Sequence, residues 1–382
     1  MLQLRSLYAF QGPERLLYAG FASSTSIGIS TDNGAIHVLN ADCELLYVRQ
    51  DDPDLVTSLD SFAFGEDQLD EMLVVSGKTS LTICNSATGA ICHEFPVDHQ
   101  SHIGKIKALQ LGESQSKGSG SIVLAVAGLK GNIHLLDFDS SGMKLRCTLT
   151  GHTQAITCLS LHPHNSHLLV SSSYDGSIRV WSMETGSQTL LCALRDDEKM
   201  VRTSVDSKGH TRTFIEGASS MLATSDGRLI AGGVGGFKLQ HSWQAHFGGH
   251  RLVGPVLNKI LLHPSKEAFI TTGTDGNVCL WNLKTYELFR RIKAFEHSVL
   301  RETVIWLNNK LICAGKDGAP ENSCGDFIRV VVWDLEKLKL EKQEIDCCND
   351  LGIACNFVHY ILVVGSRVIL LVNRRGKINV EA

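Results

Sequence analysis

The stretch that decides the fold runs from Gly151 to Gly186 and reads GHTQAITCLSLHPHNSHLLVSSSYDGSIRVWSMETG. It contains an apolar strand, a strand rich in small residues, an Asp-Gly turn and a strand in which apolar residues alternate with polar ones. The same order returns from Val256 to Ile292 and, more loosely, in the segment that ends at Trp243. Recurrence of one such phrase along a chain indicates a repeat architecture.

Looser copies extend the repeat over most of the chain: SIGISTDNGAIHVLN, MLVVSGKTSLTICN, SIVLAVAGLKGNIHLLDF, KLICAGKDGAPENSCGDFIRVVVWDL and YILVVGSRVILLVN. Dividing the 382 residues among eight such units gives about 48 residues each, slightly above the roughly 40 to 45 of a four-stranded unit. One unit is too small to bury both of its faces, so units stack radially until a ring closes. The sequence therefore predicts an all-β propeller of eight four-stranded blades, or of seven if one weak unit is accessory.

The same argument predicts how the chain is organised. We expect one domain over residues 1–382, closed by a strand within residues 2–10 (LQLRSLYAF) that pairs with the carboxy-terminal unit. Residues 113–121 and 196–217 interrupt the repeat and are predicted to be loop insertions. The second insertion is polar, carries charges of both signs and connects two blades.

The motifs of the two strongest copies resemble those of the WD-repeat family. A Gly-His pair stands about 30 residues before a tryptophan, with an Asp-containing turn and hydroxyl side chains between them. The resemblance implies that these groups form one hydrogen-bonded set within each blade. The implied members in the first copy are His152, Asp175, Trp181 and a hydroxyl from Ser171 to Ser173, with Ser172 taken as the member. In the second copy they are His250, Asp275, Trp281 and Thr271 or Thr272, with Thr272 taken as the member.

Physical chemistry favours a structural role for these sets over a catalytic one. Unpaired polar groups are costly inside a blade, and an imidazole, a carboxylate, a hydroxyl and an indole N–H can satisfy one another there. In the first two units Leu39 and Cys84 stand where the tryptophan would be. We expect those blades to depend on apolar packing.

Composition excludes several classes of partner. A net charge of −4 and a pI near 6.5 give no overall positive field, so direct binding of nucleic acid is not expected. No window has the roughly 18 to 20 apolar residues of a membrane span, and the amino terminus lacks the core of a signal peptide. The 12 cysteines include no CxxC motif, which favours free thiols in a reducing, intracellular compartment and no metal site.

No catalytic motif emerges from the sequence. Paired carboxylates, a nucleophile elbow and a cluster of metal ligands are all missing from it, so we expect neither an enzyme nor a cofactor. An enzyme with residues that converge in the central channel remains an alternative, because propellers can host such sites.

The family resemblance implies a scaffold or reader subunit that binds a peptide or helix on one face of the propeller, within a complex of several proteins. Tyr174, Lys130 and Lys316 are the candidate contacts, since all three are predicted in turns on that face. The middle blades are similar to Polycomb-group embryonic ectoderm development proteins and to origin-associated leucine-rich-repeat and WD-repeat proteins, which favours chromatin and the nucleus over the cytoplasm. An alternative is a substrate receptor of a cullin-type ubiquitin ligase, for which Trp281-Asn282-Leu283-Lys284 is the nearest match to an adaptor-binding box.

Overall fold

The computed structural model describes residues 6–9, 17–22, 26–31, 34–50, 58–64, 70–77, 80–96, 103–110, 122–139, 141–162, 165–193, 202–205, 211–214, 218–223, 229–233, 236–239, 242–244, 257–285, 287–307, 310–317, 327–334, 343–346, 355–364, 367–374 and 377–381. All regular structure in these ranges is β-strand. The strands form eight four-stranded antiparallel sheets and one two-stranded sheet. This confirms the predicted all-β fold, and the described part of the chain has eight blades.

The first four blades follow the chain from its amino-terminal part. Blade 1 comprises β2 (Leu17–Ala22), β3 (Ser26–Thr31), β4 (Ala35–Asn40) and β5 (Leu45–Gln50). Blade 2 comprises β6 (Ser58–Phe64), β7 (Asp70–Ser76), β8 (Ser80–Asn85) and β9 (Ile91–Pro96). Blade 3 comprises β10 (Ile103–Gln110), β11 (Ile122–Gly128), β12 (Ile133–Asp139) and β13 (Gly142–Leu149). Blade 4 comprises β14 (Ile156–His162), β15 (Asn165–Ser173), β16 (Ser177–Ser182) and β17 (Gln188–Ala193).

The remaining blades continue the same order. Blade 5 comprises β20 (Ala218–Ala223), β21 (Leu229–Gly233), β22 (Gly236–Leu239) and β23 (Ser242–Gln244). Blade 6 comprises β24 (Leu257–Leu262), β25 (Ala268–Gly273), β26 (Asn277–Asn282) and β27 (Leu288–Lys293). Blade 7 comprises β28 (Ser298–Leu307), β29 (Lys310–Asp317), β30 (Phe327–Asp334) and β31 (Gln343–Asp346). Blade 8 comprises β32 (Cys355–Val364), β33 (Arg367–Arg374), β34 (Lys377–Glu381) and β1 (Ser6–Ala9).

The eight blades close into a ring through their first strands. The first strand of each blade contacts the first strand of the next, from β2 through to β32, and β32 contacts β2 in turn. In blade 8 the outermost position belongs to β1, which pairs antiparallel with β34. Blade 8 therefore takes three strands from the carboxy-terminal part of the chain and one from the segment just before blade 1, so this segment joins the last blade to the first.

The core consists of apolar side chains packed between neighbouring blades. One cluster joins blades 3 and 4, where Leu135 and Val123 pack with Leu169 and Trp181, all nearly inaccessible to solvent. Similar clusters join blade 2 to blade 3 and blade 6 to blade 7. Burial of a side chain of this size contributes about 1.5 to 3 kcal/mol, so the interfaces between blades, more than any single sheet, stabilise the ring.

Two blades without the tryptophan still fill its position with a buried apolar side chain. Leu39 in β4 pairs with Ile27, and Cys84 in β8 pairs with Leu73, at the register where Trp181 pairs with Leu169 in blade 4. Both side chains are fully buried. The polar network of blade 4 is therefore not required for a blade to form.

The two predicted insertions have different outcomes. Residues 113–121 lie outside the described residues. Within residues 196–217, β18 (Arg202–Val205) pairs antiparallel with β19 (Thr211–Phe214), so the segment carries a two-stranded hairpin where a loop was predicted. The extent of the single domain over residues 1–382 stays a prediction.

Candidate functional site

In blades 3, 4 and 6 a short turn joins the second strand to the third at one end of the ring. In blade 4 the turn is Ser173-Tyr174-Asp175-Gly176, closed by the Gly176 amide, which donates to the Ser173 carbonyl at 3.2 Å. Gly128 to Gly131 in blade 3 and Gly273 to Gly276 in blade 6 close in the same way, at 3.3 and 3.2 Å. Their last glycines have φ between 71° and 92°, a left-handed conformation that favours glycine.

A hydrogen-bonded network fastens the blade 4 turn to the loop that precedes the blade. The His152 Nδ1 atom lies 2.8 Å from Asp175 Oδ2, and His152 Nε2 lies 2.8 Å from Ser171 Oγ. The Trp181 Nε1–H donates to the same Ser171 oxygen at 2.8 Å. Every donor finds an acceptor when Nδ1 carries the imidazole proton: the indole donates to the hydroxyl, the hydroxyl to Nε2, and Nδ1–H to the carboxylate.

Asp175 is held as a carboxylate by its neighbours. Burial alone would raise its pKa, but hydrogen bonds from His152 and Ser177 outweigh that effect and place the pKa of Asp175 well below its usual range. The Ser177 amide and hydroxyl donate to Oδ1 at 2.8 and 2.7 Å, and the Thr153 amide donates to Oδ2 at 3.1 Å. With both oxygens engaged, this carboxylate is a structural acceptor.

The structure corrects the predicted hydroxyl of this set from Ser172 to Ser171. Side chains alternate between the two faces of a strand, and Ser171 shares a face with Leu169, which pairs with Trp181. Ser172 points to the opposite face, where its hydroxyl bonds the Thr157 hydroxyl at 2.8 Å. The network therefore consists of His152, Ser171, Asp175 and Trp181.

The same correction applies in blade 6. The Trp281 Nε1–H donates to Thr271 Oγ1 at 2.8 Å, and Thr271 replaces the predicted Thr272. Thr272 faces the other way, and its hydroxyl is buried with no hydrogen-bond partner among the described residues. Asp275 accepts hydrogen bonds from the Asn277 amide and side chain at 3.0 and 2.9 Å. His250 lies outside the described residues.

Sequence reasoning missed a lysine that fastens the blade 6 turn. The Lys293 ammonium donates to the carbonyl oxygens of Asp275 at 2.8 Å and Glu296 at 3.0 Å. It joins the end of the outermost strand and the loop after it to the turn, whereas His152 fastens the blade 4 turn to the loop before its blade. An ammonium can reach two carbonyls in this way because it has three donors and no acceptor.

The three candidate contact residues have different positions. Tyr174 lies in the blade 4 turn with 47 % of its surface exposed, and Lys130 is exposed in the blade 3 turn. Lys316 lies within β29, where it pairs with Ile328, so the prediction of a turn position was wrong. β29 continues to Asp317 and β30 begins at Phe327, a longer separation along the chain than the tight turns of blades 3, 4 and 6 span.

Sequence reasoning also missed Leu129, whose exposed fraction is 50 %. It occupies the position in the blade 3 turn that Tyr174 occupies in the blade 4 turn, and aligning the two turns on their closing glycines would have found it. Among the described residues, no group of three or more His, Cys, Asp and Glu side chains could hold a metal ion. None of the described segments forms a helix with the length and apolar character that crossing a membrane requires.

The ring of four-stranded sheets and the fastened turns define a β-propeller protein. The family model "WD domain, G-beta repeat" matches residues 143–182, which include the His152 network. Among solved structures, the computationally designed Ika8 protein aligns over 98 % of both chains with a TM-score of 0.63 and 17 % identity, a likeness of fold alone. These findings support a β-propeller of the WD-repeat type, with the family match confined to residues 143–182.

Curated relatives match parts of the chain. Coronin-7 of Mus musculus is 36 % identical over 126 residues, which cover 29 % of this chain and 14 % of coronin-7. Nuclear distribution protein PAC1 of Komagataella phaffii is 27 % identical over 232 residues, covering 52 % of this chain and 43 % of PAC1. Polycomb protein esc of Drosophila virilis is 40 % identical over 63 residues, covering 16 % of this chain and 14 % of esc. The matches span less than half the length of each of these relatives.

Proposed function

We propose that this chain is a non-catalytic scaffold or reader subunit of a complex of several proteins, with its partners bound on the turn-bearing end of the ring. WD-repeat proteins generally act as platforms for protein interaction. The observation that carries the proposal is the way the polar groups at this end are used. His152 and Asp175, the pair that most resembles catalytic machinery, bind each other and their own blade, while Tyr174 and Lys130 remain exposed.

The candidate contacts are Tyr174 and Lys130, and the proposal places an extended peptide or a helix of a partner across their turns. Lys316, in a strand, is left out of the contact set. The whole chain, residues 1–382, acts as one domain in this proposal, closed by the segment 2–10, in line with the pairing of β1 and β34.

The finer part of the proposal is association with chromatin in the nucleus. It draws support from the short match to Polycomb protein esc, 40 % identical over 63 residues. Direct contact with nucleic acid is not part of it, because the net charge is −4.

Affinity purification of the tagged full-length protein from its own cells, followed by mass spectrometry, tests the proposal. We expect the same set of proteins to co-elute in repeated preparations at moderate salt, chromatin proteins among them, and not with a tag-only control. Stable recovery of a cullin adaptor would instead favour the ubiquitin-ligase receptor. A protein that elutes alone in every preparation would contradict the scaffold role.

A further inference from the structure

Five residues on neighbouring turns form a continuous candidate surface across blades 3 and 4. We call it the blade 3–4 surface; it comprises Leu129, Lys130, Thr153, Gln154 and Tyr174. Leu129 and Lys130 belong to the blade 3 turn, Thr153 and Gln154 to the loop that connects the two blades, and Tyr174 to the blade 4 turn. Leu129 is 50 % exposed and Tyr174 is 47 % exposed, so two large apolar groups face solvent.

The backbone under this surface is fixed at three points. Gly131 packs against the connecting loop so closely that an added Cβ would overlap the carbonyl group of His152. On the other side, the Tyr174 amide donates to the Ala155 carbonyl at 3.0 Å, and the Ser173 hydroxyl donates to the Gln154 carbonyl at 2.8 Å. A surface that is already ordered loses little conformational entropy when a ligand binds to it.

The charge of the surface is positive although the whole chain is acidic. Asp175, the nearest acid in sequence, is turned inward and bonded to His152 and Ser177. No described residue forms an ion pair with Lys130, which is exposed. Lys130 therefore adds a positive charge next in sequence to the exposed side chain of Leu129, with no ion-pair partner among the described residues.

We propose that the blade 3–4 surface binds an extended segment of a partner protein in which a carboxylate lies beside an apolar side chain. The carboxylate pairs with Lys130, and the apolar side chain packs on Leu129 and the ring of Tyr174. This inference rests on the proposed scaffold function and names the chemistry of the partner. One lysine suits a single carboxylate, whereas binding of nucleic acid depends on the neutralisation of several phosphates.

Fluorescence anisotropy with two labelled peptides tests the proposal on the full-length protein. In the first peptide glutamate alternates with leucine and phenylalanine, and in the second lysine replaces each glutamate. The variants are Lys130→Glu, the pair Leu129→Ser with Tyr174→Ser, and the control Lys144→Glu, an exposed lysine on the outer strand of blade 3. Thermal unfolding of each variant shows whether it keeps the fold.

We expect the wild type to bind the glutamate peptide and not the lysine peptide. Lys130→Glu weakens binding of the glutamate peptide by about tenfold or more and creates binding of the lysine peptide, whereas Lys144→Glu changes the affinity by less than about twofold. The Leu129→Ser and Tyr174→Ser pair weakens binding of the glutamate peptide while the unfolding temperature stays the same. Rescue by charge reversal is an effect that a damaged fold would not produce.

The proposal is overturned if the wild type does not bind the glutamate peptide, or if Lys130→Glu binds that peptide as tightly as the wild type does. It is also overturned if single-stranded DNA displaces the glutamate peptide from the wild type. These failures are separate from failure of the scaffold function. Partners that co-purify equally with the wild type and with Lys130→Glu would retain the scaffold and remove this surface from it. Absence of any co-purifying partner would remove the scaffold itself.

Discussion

The hydroxyl of Ser171 is predicted to be worth far more to stability than its size suggests, because two buried groups depend on it. It accepts the Trp181 N–H and lies against His152 Nε2, both at 2.8 Å, and Trp181 is only 1 % exposed. Leaving a buried polar group unpaired costs about 1 to 3 kcal/mol. Ser171→Ala leaves the Trp181 N–H and His152 Nε2 without this hydrogen-bond partner, and it should lower the free energy of unfolding by about 2 to 4 kcal/mol.

A double-mutant cycle with Trp181→Phe separates the hydrogen bond from the cavity that each substitution leaves. Trp181→Phe removes the indole N–H, so in the double variant no indole donor is orphaned by the loss of Ser171. We expect the double variant to be more stable than the sum of the single effects predicts, by about 1 to 2 kcal/mol. Urea unfolding followed by far-ultraviolet circular dichroism measures each free energy.

The control cycle combines Ser171→Ala with Trp281→Phe, which lies in blade 6 and hydrogen-bonds Thr271. Those two effects should add to within about 0.5 kcal/mol, because Ser171 and Trp281 lie in different blades. Additivity of the same size between Ser171→Ala and Trp181→Phe would refute the network, and so would a Ser171→Ala variant as stable as the wild type.

Three further predictions follow from single sites. Thr272→Val should raise stability by about 1 kcal/mol, because it replaces a buried hydroxyl that has no hydrogen-bond partner among the described residues. Thr271→Val should lower stability by about 1 to 3 kcal/mol, because it leaves the Trp281 N–H without its acceptor. Thermal unfolding of the two variants tests this, and equal shifts would contradict it. Because the folded-state pKa of Asp175 is lowered, its contribution to stability is present above about pH 4 and is lost as the pH falls further. Urea unfolding at a series of pH values should show that the free energy of unfolding falls less steeply at acid pH for Asp175→Asn than for the wild type. Identical slopes at acid pH would contradict the assignment. Gly131→Ala should lower the free energy of unfolding by about 1 kcal/mol or more, because the φ of Gly131 is +92° and an added Cβ would meet the His152 carbonyl. In Gly77→Ala the added Cβ would lie 3.7 Å from the Ser80 carbonyl oxygen, so the free energy of unfolding should change by no more than about 0.5 kcal/mol. Similar losses in both variants would refute the steric argument.

The sequence was sufficient for the fold because the repeat carries its own signals. The Asp-Gly turns, the small-residue strands and Trp181 and Trp281 appear in the same order in two copies, and short strands of this kind can bury their faces only by stacking. The sequence leaves seven and eight blades open because one weak copy of the repeat could be an accessory unit. Contact between β32 and β2 closes a ring of eight in the described part of the chain.

The details of the site required strand register. Ser171, Ser172 and Ser173 are chemically identical, and only pairing of Leu169 with Trp181 shows which of them faces the indole. The sequence around Lys316 resembles that around Lys130 and so predicts a turn, but β29 continues past Lys316 to Asp317. Leu129, by contrast, could have been found from the sequence, because alignment of the closing glycines places it at the turn position of Tyr174.

The central claim is that the His152 network maintains the blade while the neighbouring turns bind partners, and one comparison tests it most directly. Thermal unfolding and recovery of partners are measured side by side for tagged Ser171→Ala and for Lys130→Glu with Tyr174→Ser. The account predicts that Ser171→Ala unfolds at a lower temperature and retains every partner at temperatures where it is folded. The turn variant should unfold like the wild type and lose partners. A stable Ser171→Ala that loses partners, or a turn variant that retains them all, would contradict the account.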